Sequence, residues 1–276
     1  MKQSIFFGMM FLIFAGCSKN EQVDMNDFYR MYGADNEQVD QLLKEVSMHQ
    51  LYFGHQSVGF NILSGIHIWE EETGVNLNIV ESRDFANTDS ASLVHFKVGR
   101  NGDPKGKIDD FVSLVDSIPG DSMAAAFFKL CYVDIMSDTD VEELFNYYKE
   151  KMYLVKERYP HLQIILVTVP VTRAQRGWKK IAKKILGRPW YGVEENIKRH
   201  EFNQRMLNEM GDDFPVFDLA GLETTLPDGS TYTYKHQGNE YPAIPEFYTV
   251  DLGHLNEYGA RYVSFNLLAF LSETLK

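Results

Sequence analysis

The sequence has 276 residues, of which 44% are hydrophobic and 24% are charged. This length and composition are typical of one domain with a large buried core. The 39 acidic residues outnumber the 27 basic residues and give a formal net charge of −12. This charge argues against nucleic acid as a partner, because nucleic-acid binding needs a basic surface.

The N-terminus has the pattern of an export signal. Lys2 is followed by an apolar run, residues 5–14, which is too short to span a membrane and ends in a pair of small residues before Cys17. Residues 14–17 resemble a bacterial lipobox, in which the cysteine is acylated and becomes the first mature residue. An ordinary signal peptide that is cut near Gly16 is the alternative.

These patterns divide the chain into three parts. We predict a signal peptide at residues 1–16, a lipidated cysteine and polar tether at residues 17–33, and one domain at residues 34–276. The expected location is extracytoplasmic, on a bacterial membrane to which the lipid anchors the chain. Acylation of Cys17 would leave Cys131 as the other cysteine, so no internal disulfide is expected.

The domain begins with a predicted helix that Asp35 caps, with Gln38 three residues later and apolar residues at helical spacing after it. Short apolar segments then alternate with helical patterns. The predicted strands are residues 51–53, 77–80, 124–133, 162–169 and 214–218, and the helices among them are residues 58–72, 107–115 and 141–159. This alternation predicts an α/β fold in which helices cover both faces of a parallel sheet of about five strands. The active site of such a sheet is expected at the carboxyl ends of its strands.

A basic segment lies between the last two predicted strands. It contains no acidic residue, and its basic residues are Arg173, Arg176, Lys179, Lys180, Lys183, Lys184 and Arg188. It could form a lid or a patch for anionic polymers or lipid headgroups. The alternative is an amphipathic surface helix whose lysines are solvated.

Ser57 follows the first predicted strand directly and begins a helix. A serine in that place has its hydroxyl at the carboxyl edge of the sheet, where the helix N-terminus supplies backbone donors for a developing negative charge. Many serines in such positions only cap the helix. This segment alone therefore leaves both interpretations open.

A second segment near the C-terminus places Asp251 and His254 three residues apart, before a closing helix. A serine hydroxyl becomes a good nucleophile when a histidine removes its proton, and a carboxylate fixes the tautomer of that histidine. The histidines other than His254 and His55 are expected to be structural. Ser57, His254 and Asp251 are thus the predicted catalytic triad, and we expect Ser57 Oγ within about 3.5 Å of His254 Nε2.

These two segments resemble the first and last conserved blocks of the SGNH/GDSL hydrolases, with Gly-His-Gln-Ser in place of Gly-Asp-Ser at residues 54–57. Residues 99–103 resemble the second block. The resemblance implies the flavodoxin-like, three-layer α/β/α fold of that family and an esterase activity that needs no cofactor. It also implies that the backbone N–H groups of Ser57 and Gly102 bind the oxyanion.

The third block departs from the family pattern, because Val133 occupies the position of the asparagine that donates to the oxyanion. Losing one such donor typically lowers turnover about a hundred- to a thousandfold. The candidates to replace it are the side chains of Gln56 and Asn101, with His55 as the next choice. The alternative is that the activity is weak.

Other polar residues near the blocks have two interpretations each. Lys129 and Asp134 lie in or beside an apolar strand, so they either form a buried ion pair or contribute to the substrate pocket. Arg173 follows the fourth predicted strand and either binds an anionic group of the substrate or lies at the surface.

The pattern as a whole predicts a serine esterase that removes acyl groups, such as O-acetyl groups, from an extracytoplasmic carbohydrate. The alternative is a catalytically weak relative that binds glycan for uptake or adhesion. A metallohydrolase is disfavoured, because the sequence has no His-x-x-x-His or other clustered ligand spacing, and no metal is expected.

Overall fold

A computed structural model describes residues 35–85, 88, 92–118, 124–174 and 192–276. The predicted signal peptide, the tether with Cys17, and the basic segment beyond residue 174 lie outside the described residues. No helix in the described ranges is both long enough and apolar enough to cross a membrane.

The described helices are α1 (Asn36–Ser47), α2 (Val58–Thr73), α3 (Pro104–Val115), α4 (Val141–Arg158), α5 (Val193–Met210), α6 (Leu219–Thr224) and α7 (Glu257–Thr274). The strands are β1 (Gln50–His55), β2 (Ile79–Glu81), β3 (Leu93–Lys97), β4 (Ala124–Phe128), β5 (Gln163–Val167), β6 (Val216–Phe217), β7 (Thr233–His236) and β8 (Asn239–Pro242). Short 3₁₀ helices lie at Tyr132–Asp134 and Glu246–Tyr248. The predicted cap of the first helix is confirmed, because the Gln38 N–H donates to Asp35.

The strands β1 to β6 form one parallel sheet in the order β2-β3-β1-β4-β5-β6, and β7 and β8 form a separate antiparallel hairpin. The predicted α/β class with a parallel sheet is therefore confirmed. The prediction of about five strands was one short, since β3 was not predicted. The strand predicted at residues 124–133 ends at Phe128, and α5 was also not predicted.

Strand β1 lies in the middle of the sheet and is buried on both faces. Leu51 and Phe53 pack into the core on one face, and Tyr52 packs into the core on the other. Gly54 leaves room for its neighbours, because a Cβ there would lie 2.9 Å from the Phe96 ring and 3.0 Å from Phe128 Cβ. The two aromatic residues on β3 and β4 thus cover the end of the strand that leads to Ser57.

Three layers result from these two cores. Helices α1, α2 and α7 cover one face of the sheet, and helices α3, α4 and α5 cover the other. Among the described helices, α2 and α7 share the most extensive contact. They cross at Gly65, where a Cβ would lie 2.3 Å from the carbonyl oxygen of Ala260 and 2.5 Å from Ser264 Oγ.

This crossing predicts that Gly65→Ala destabilises the protein. The added methyl group would contact backbone of α7, so the helices must separate, and overpacking of this kind typically costs about 1–3 kcal/mol. Urea unfolding followed by circular dichroism measures the change. Ser64→Ala, on the exposed side of the same helix, is the control and should change the unfolding free energy by less than about 0.5 kcal/mol. Equal stability of Gly65→Ala and the wild type would show that the crossing is not tight.

Candidate active site

Ser57 occupies the turn between β1 and α2 in an unusual backbone conformation. Its φ of 53° and ψ of −111° are rare for a residue with a side chain. The side chain makes no capping hydrogen bond to α2. Strain of this kind is found mainly at functional sites, where the surrounding fold holds it in place. Ser57 is therefore more than a helix cap.

The loop that follows the 3₁₀ helix at residues 246–248 brings Asp251 and His254 together. Asp251 Oδ1 accepts from the N–H groups of Gly253 at 2.9 Å and His254 at 2.8 Å, while Asp251 Oδ2 lies 2.7 Å from His254 Nδ1. Burial raises the pKa of Asp251, but these hydrogen bonds outweigh burial and hold the pKa below its usual range. The carboxylate thus stays ionised and fixes the orientation of the imidazole.

The other ring nitrogen of His254 faces the serine. Ser57 Oγ lies 2.6 Å from His254 Nε2, which meets the 3.5 Å expected from the sequence. The two segments are also linked directly, because the Leu255 N–H donates to Asn61 Oδ1 on α2 at 3.2 Å. The three side chains predicted as a triad are therefore arranged as a hydrogen-bonded chain from carboxylate to imidazole to hydroxyl.

The predicted oxyanion donors differ in their surroundings. The Ser57 N–H has no hydrogen-bond acceptor among the described residues. The Gly102 N–H, by contrast, donates to Asp134 Oδ1 at 2.8 Å. The prediction that Gly102 presents a free donor therefore does not fit this arrangement, because the carboxylate of Asp134 already accepts its hydrogen.

The side chains proposed to replace the missing asparagine are also mostly engaged. Gln56 donates to the carbonyl oxygens of Val98 at 2.8 Å and Gly99 at 2.6 Å, so its amide holds the second-block loop. His55 is fully buried, and its Nε2 lies 3.2 Å from His95 Nδ1. These contacts do not fit a role for Gln56 or His55 as the oxyanion donor.

Asn101 is different from these two residues. It is exposed, and its Oδ1 accepts from Lys107 Nζ at 2.7 Å. Its amide nitrogen has no acceptor within the part of the chain that the structure describes. Asn101 is therefore the one of the three predicted substitutes whose donor remains available.

Asp134 forms a buried ion pair with a partner other than the predicted one. Its Oδ2 lies 2.6 Å from Lys107 Nζ, with both side chains fully buried, and also accepts from the Cys131 N–H. Lys129 instead places its Nζ 3.5 Å from Cys131 Sγ. The ion-pair interpretation of Asp134 is thus correct in kind, but the pairing with Lys129 was wrong, and Asp134 is not a pocket residue.

Arg173 lies beside the triad and forms an ion pair at the surface. Its Nη2 lies 2.6 Å from Glu246 Oε1, its Nη1 donates to the Asp251 carbonyl oxygen at 3.4 Å, and its N–H donates to the Leu252 carbonyl oxygen at 2.8 Å. Arg173 therefore stabilises the loop that carries Asp251 and His254. A role in binding substrate stays a prediction.

Tyr132 is a site residue that the sequence did not reveal. Its hydroxyl oxygen lies 3.5 Å from His254 Nε2, and the two rings meet edge to face with centroids 5.8 Å apart. It stands in the third block, next to Val133, which occupies the position of the family's asparagine. An aromatic residue beside that block is the only signal that the sequence offers.

Metal ions in proteins need several ligand side chains close together. Within the described ranges, no group of three or more His, Cys, Asp and Glu side chains is placed so that it could hold a metal ion. The triad and the neighbouring Tyr132 bring hydroxyl, imidazole, carboxylate and phenol groups together.

Neither a protein-family model nor a curated protein sequence matches the chain. Among solved structures, the fold is similar to a member of the lipolytic G-D-S-L family from Veillonella parvula, with 11% identity over 80% of this chain and 96% of that chain, and a TM-score of 0.44. It is also similar to the periplasmic domain of a lipopolysaccharide acetyltransferase from Salmonella ser. Paratyphi A, with 14% identity over 93% and 98% of the two chains, and a TM-score of 0.43.

A third similar structure is the OSK domain of Drosophila Oskar, with 14% identity over 86% of this chain and 96% of that chain, and a TM-score of 0.39. These identities and scores are low in all three cases. The geometry around Ser57 is therefore the basis of the function proposed below.

The buried His55 predicts a measurable loss of stability in acid. Burial, together with the charge of Lys129, lowers the pKa of His55 to about 2, whereas the unfolded chain takes up this proton near pH 6.5. The stability from neutral His55 is thus present above about pH 6.5 and is lost as the pH falls towards 2. His55→Phe keeps a ring but removes the proton site. Between pH 6.5 and 4.5, the unfolding free energy of the wild type should fall more steeply than that of the variant, by up to about 1.4 kcal/mol per pH unit.

Chemical unfolding of both proteins at several pH values measures this difference. The comparison of slopes separates proton uptake from any loss of packing, since a packing loss shifts the whole curve by a constant. Parallel curves for His55→Phe and the wild type would contradict the prediction.

Proposed function

We propose that the protein is a serine esterase that cleaves acyl esters. The observation that carries this proposal is the hydrogen-bonded chain Asp251–His254–Ser57, with 2.7 Å and 2.6 Å between the reacting atoms. A serine, an imidazole and a carboxylate in this order are the groups that acyl transfer needs, whatever the fold that carries them. The strained backbone of Ser57 supports the same assignment.

The reaction has two steps in this proposal. His254 Nε2 takes the proton of Ser57 Oγ as the oxygen attacks the acyl carbon, and then passes the proton to the alcohol that leaves. Water hydrolyses the acyl-serine with His254 as the base, and the proton returns to Ser57. Asp251 stabilises the positive imidazole throughout and keeps its own charge.

The oxyanion is bound by the Ser57 N–H and, in this proposal, by the Asn101 side-chain amide. The support for Asn101 is the contact between its Oδ1 and Lys107 Nζ, which fixes the amide plane and leaves the nitrogen as a donor. Two donors near the developing charge are enough for substantial stabilisation of the tetrahedral intermediate.

The substrate class follows from the predicted location. An esterase that is held on the outer side of a bacterial membrane meets polysaccharides, so we propose O-acyl groups, such as acetate, on an extracytoplasmic carbohydrate. The exposed position of the triad agrees with a bulky substrate, since the Asp251 side chain is 51% exposed and the His254 side chain is 35% exposed.

Replacing Ser57 or His254 tests the reaction. Hydrolysis of p-nitrophenyl acetate and of acetylated xylan by the purified chain should fall by at least about a thousandfold in Ser57→Ala, and nearly as far in His254→Ala, because the two groups act as a unit. Ser64 lies on helix α2, which follows Ser57, and Ser64→Ala should keep the wild-type rate. Equal rates for Ser57→Ala and the wild type would overturn the proposal.

A glycan-binding protein with weak activity is the second candidate. It is favoured by the engaged Gly102 N–H and by a separate cavity of about 280 Å³ away from the triad. Hydroxyl, amide and imidazole side chains line part of this cavity, namely His200, Gln204, Thr224, Thr225 and Thr231. If no acyl ester is cleaved faster than by Ser57→Ala, while acetylated xylan still binds, this candidate replaces the esterase.

Export and lipid attachment remain a proposal as well. The basis is the apolar run that ends in Ala15-Gly16 before Cys17. Mass spectrometry of the protein from its native membrane should find an acylated Cys17 as the first residue. A soluble product with an unmodified Cys17 would contradict the anchor and leave export in place.

A further inference from the structure

We infer that Tyr132 is a catalytic residue that donates a hydrogen bond to the leaving-group oxygen of the ester. This inference rests on the proposed esterase reaction and assigns a role in it that the family resemblance does not supply. The inference is based on two observations. The phenol lies next to His254 Nε2, the nitrogen that transfers the proton, and neighbouring residues hold the Tyr132 ring in place.

The phenol and the serine hydroxyl lie on the same ring nitrogen. Tyr132 Oη is 3.5 Å from His254 Nε2, and Ser57 Oγ is 2.6 Å from it. In acyl transfer, the leaving oxygen must come within about 3 Å of this nitrogen to receive its proton. An oxygen on the side of this nitrogen that faces Tyr132 can accept a second hydrogen bond from the phenol. The oxyanion, in contrast, turns away from the base and towards the backbone donors.

A buried hydrogen-bond network holds the backbone of Tyr132 in place. Its carbonyl oxygen accepts from Arg199 Nε at 2.8 Å, and the guanidinium of this fully buried arginine is anchored to Asn196 Oδ1 at 2.7 Å and Thr172 Oγ1 at 3.1 Å. The 3₁₀ turn at residues 132–134 therefore rests on a buried polar network. A catalytic donor needs such support, because small displacements weaken its effect on the transition state.

The loop that carries Asp251 and His254 packs against the Tyr132 ring. Gly253 packs on it so closely that a Cβ at this position would lie 3.0 Å from Tyr132 Cε1. The ring is only 6% exposed, yet its hydroxyl points to the reacting nitrogen. The glycine between Asp251 and His254 thus lets the loop close onto the phenol.

The chemical step balances without any further reactant. Ser57 Oγ forms a bond to the acyl carbon, the bond from that carbon to the leaving oxygen breaks, and the proton from Ser57 reaches the leaving oxygen through His254. Tyr132 keeps its own proton and only shares it, which stabilises the charge on the leaving oxygen until the proton arrives. During hydrolysis of the acyl-serine, the attacking water takes the same position.

The test compares Tyr132→Phe with the wild type on acetate esters of different alcohols. For an aliphatic alcohol such as ethanol, the leaving oxygen carries a localised charge, so kcat/KM should fall about ten- to a hundredfold. For p-nitrophenol, the ring already spreads the charge, and kcat/KM should fall by less than about threefold. The parameter kcat/KM is used because it reports acylation, the step in which the alcohol leaves.

Two controls separate this role from a structural one. Tyr153 lies on helix α4, and its exposed phenol donates a hydrogen bond to Asp213. Tyr153→Phe removes this bond and should leave the hydrolysis of both esters at the wild-type rate. A fluorophosphonate probe labels the serine by releasing fluoride, which needs no proton, so Tyr132→Phe should be labelled at close to the wild-type rate and Ser57→Ala should not be labelled.

The ester rates and the labelling rate together distinguish the possible roles of Tyr132. Equal losses on both esters would overturn the inference. Equal losses with slow labelling would make Tyr132 an oxyanion donor or a packing residue, because attack on phosphorus also needs the oxyanion donors and a well-placed serine. No loss on either ester would remove it from the reaction. Failure of the proposed esterase function would look different, because Ser57→Ala would then keep the activity of the wild type.

Discussion

The arrangement of the loops around Ser57 depends on one buried ion pair. Burying Lys107 and Asp134 without water is costly, and such a pair is tolerated when further hydrogen bonds satisfy both groups. Here the carboxylate also accepts from the Gly102 and Cys131 N–H groups, while the ammonium also donates to Asn101. The pair therefore joins the loop after β3 to the loop after β4. Removing either charge would leave the other buried alone, at a typical cost of about 3–5 kcal/mol.

The fold class was predictable because helix caps and apolar periodicity are local signals. The Asp35 cap of α1 was identified in this way, and so was α7, the helix that follows the loop with Asp251 and His254. Helix α5 was missed for a physical reason. Its buried face includes Asn196, Arg199 and Asn203, which hold neighbouring loops through hydrogen bonds, so the apolar repeat that marks a helix is interrupted. Strand β3 was missed because it is short and carries His95 and Lys97 among its apolar residues.

The candidate site was predictable where its groups are close in sequence, as in the loop with Asp251 and His254. Contacts between distant segments were not. The partner of Asp134 lies 27 residues away on a helix, and nothing in the pattern of the chain marks Lys107 as buried. The same applies to Tyr132, which reaches His254 across 122 residues. Sequence blocks thus indicate which loops meet, but the side chains that face each other depend on packing.

The proposed nucleophile Ser57 and its proposed base His254 are 197 residues apart. They lie on segments that lead into α2 and α7, and these helices pack against each other across Gly65. Closing so long a loop is slow in folding, and it requires that nearly the whole chain be present. During synthesis, the serine therefore emerges from the ribosome long before the histidine that would activate it. An unfinished chain therefore carries this serine with no base beside it, and without the packing that imposes its backbone conformation. Under the proposed mechanism, reactivity is consequently the last property that the chain acquires.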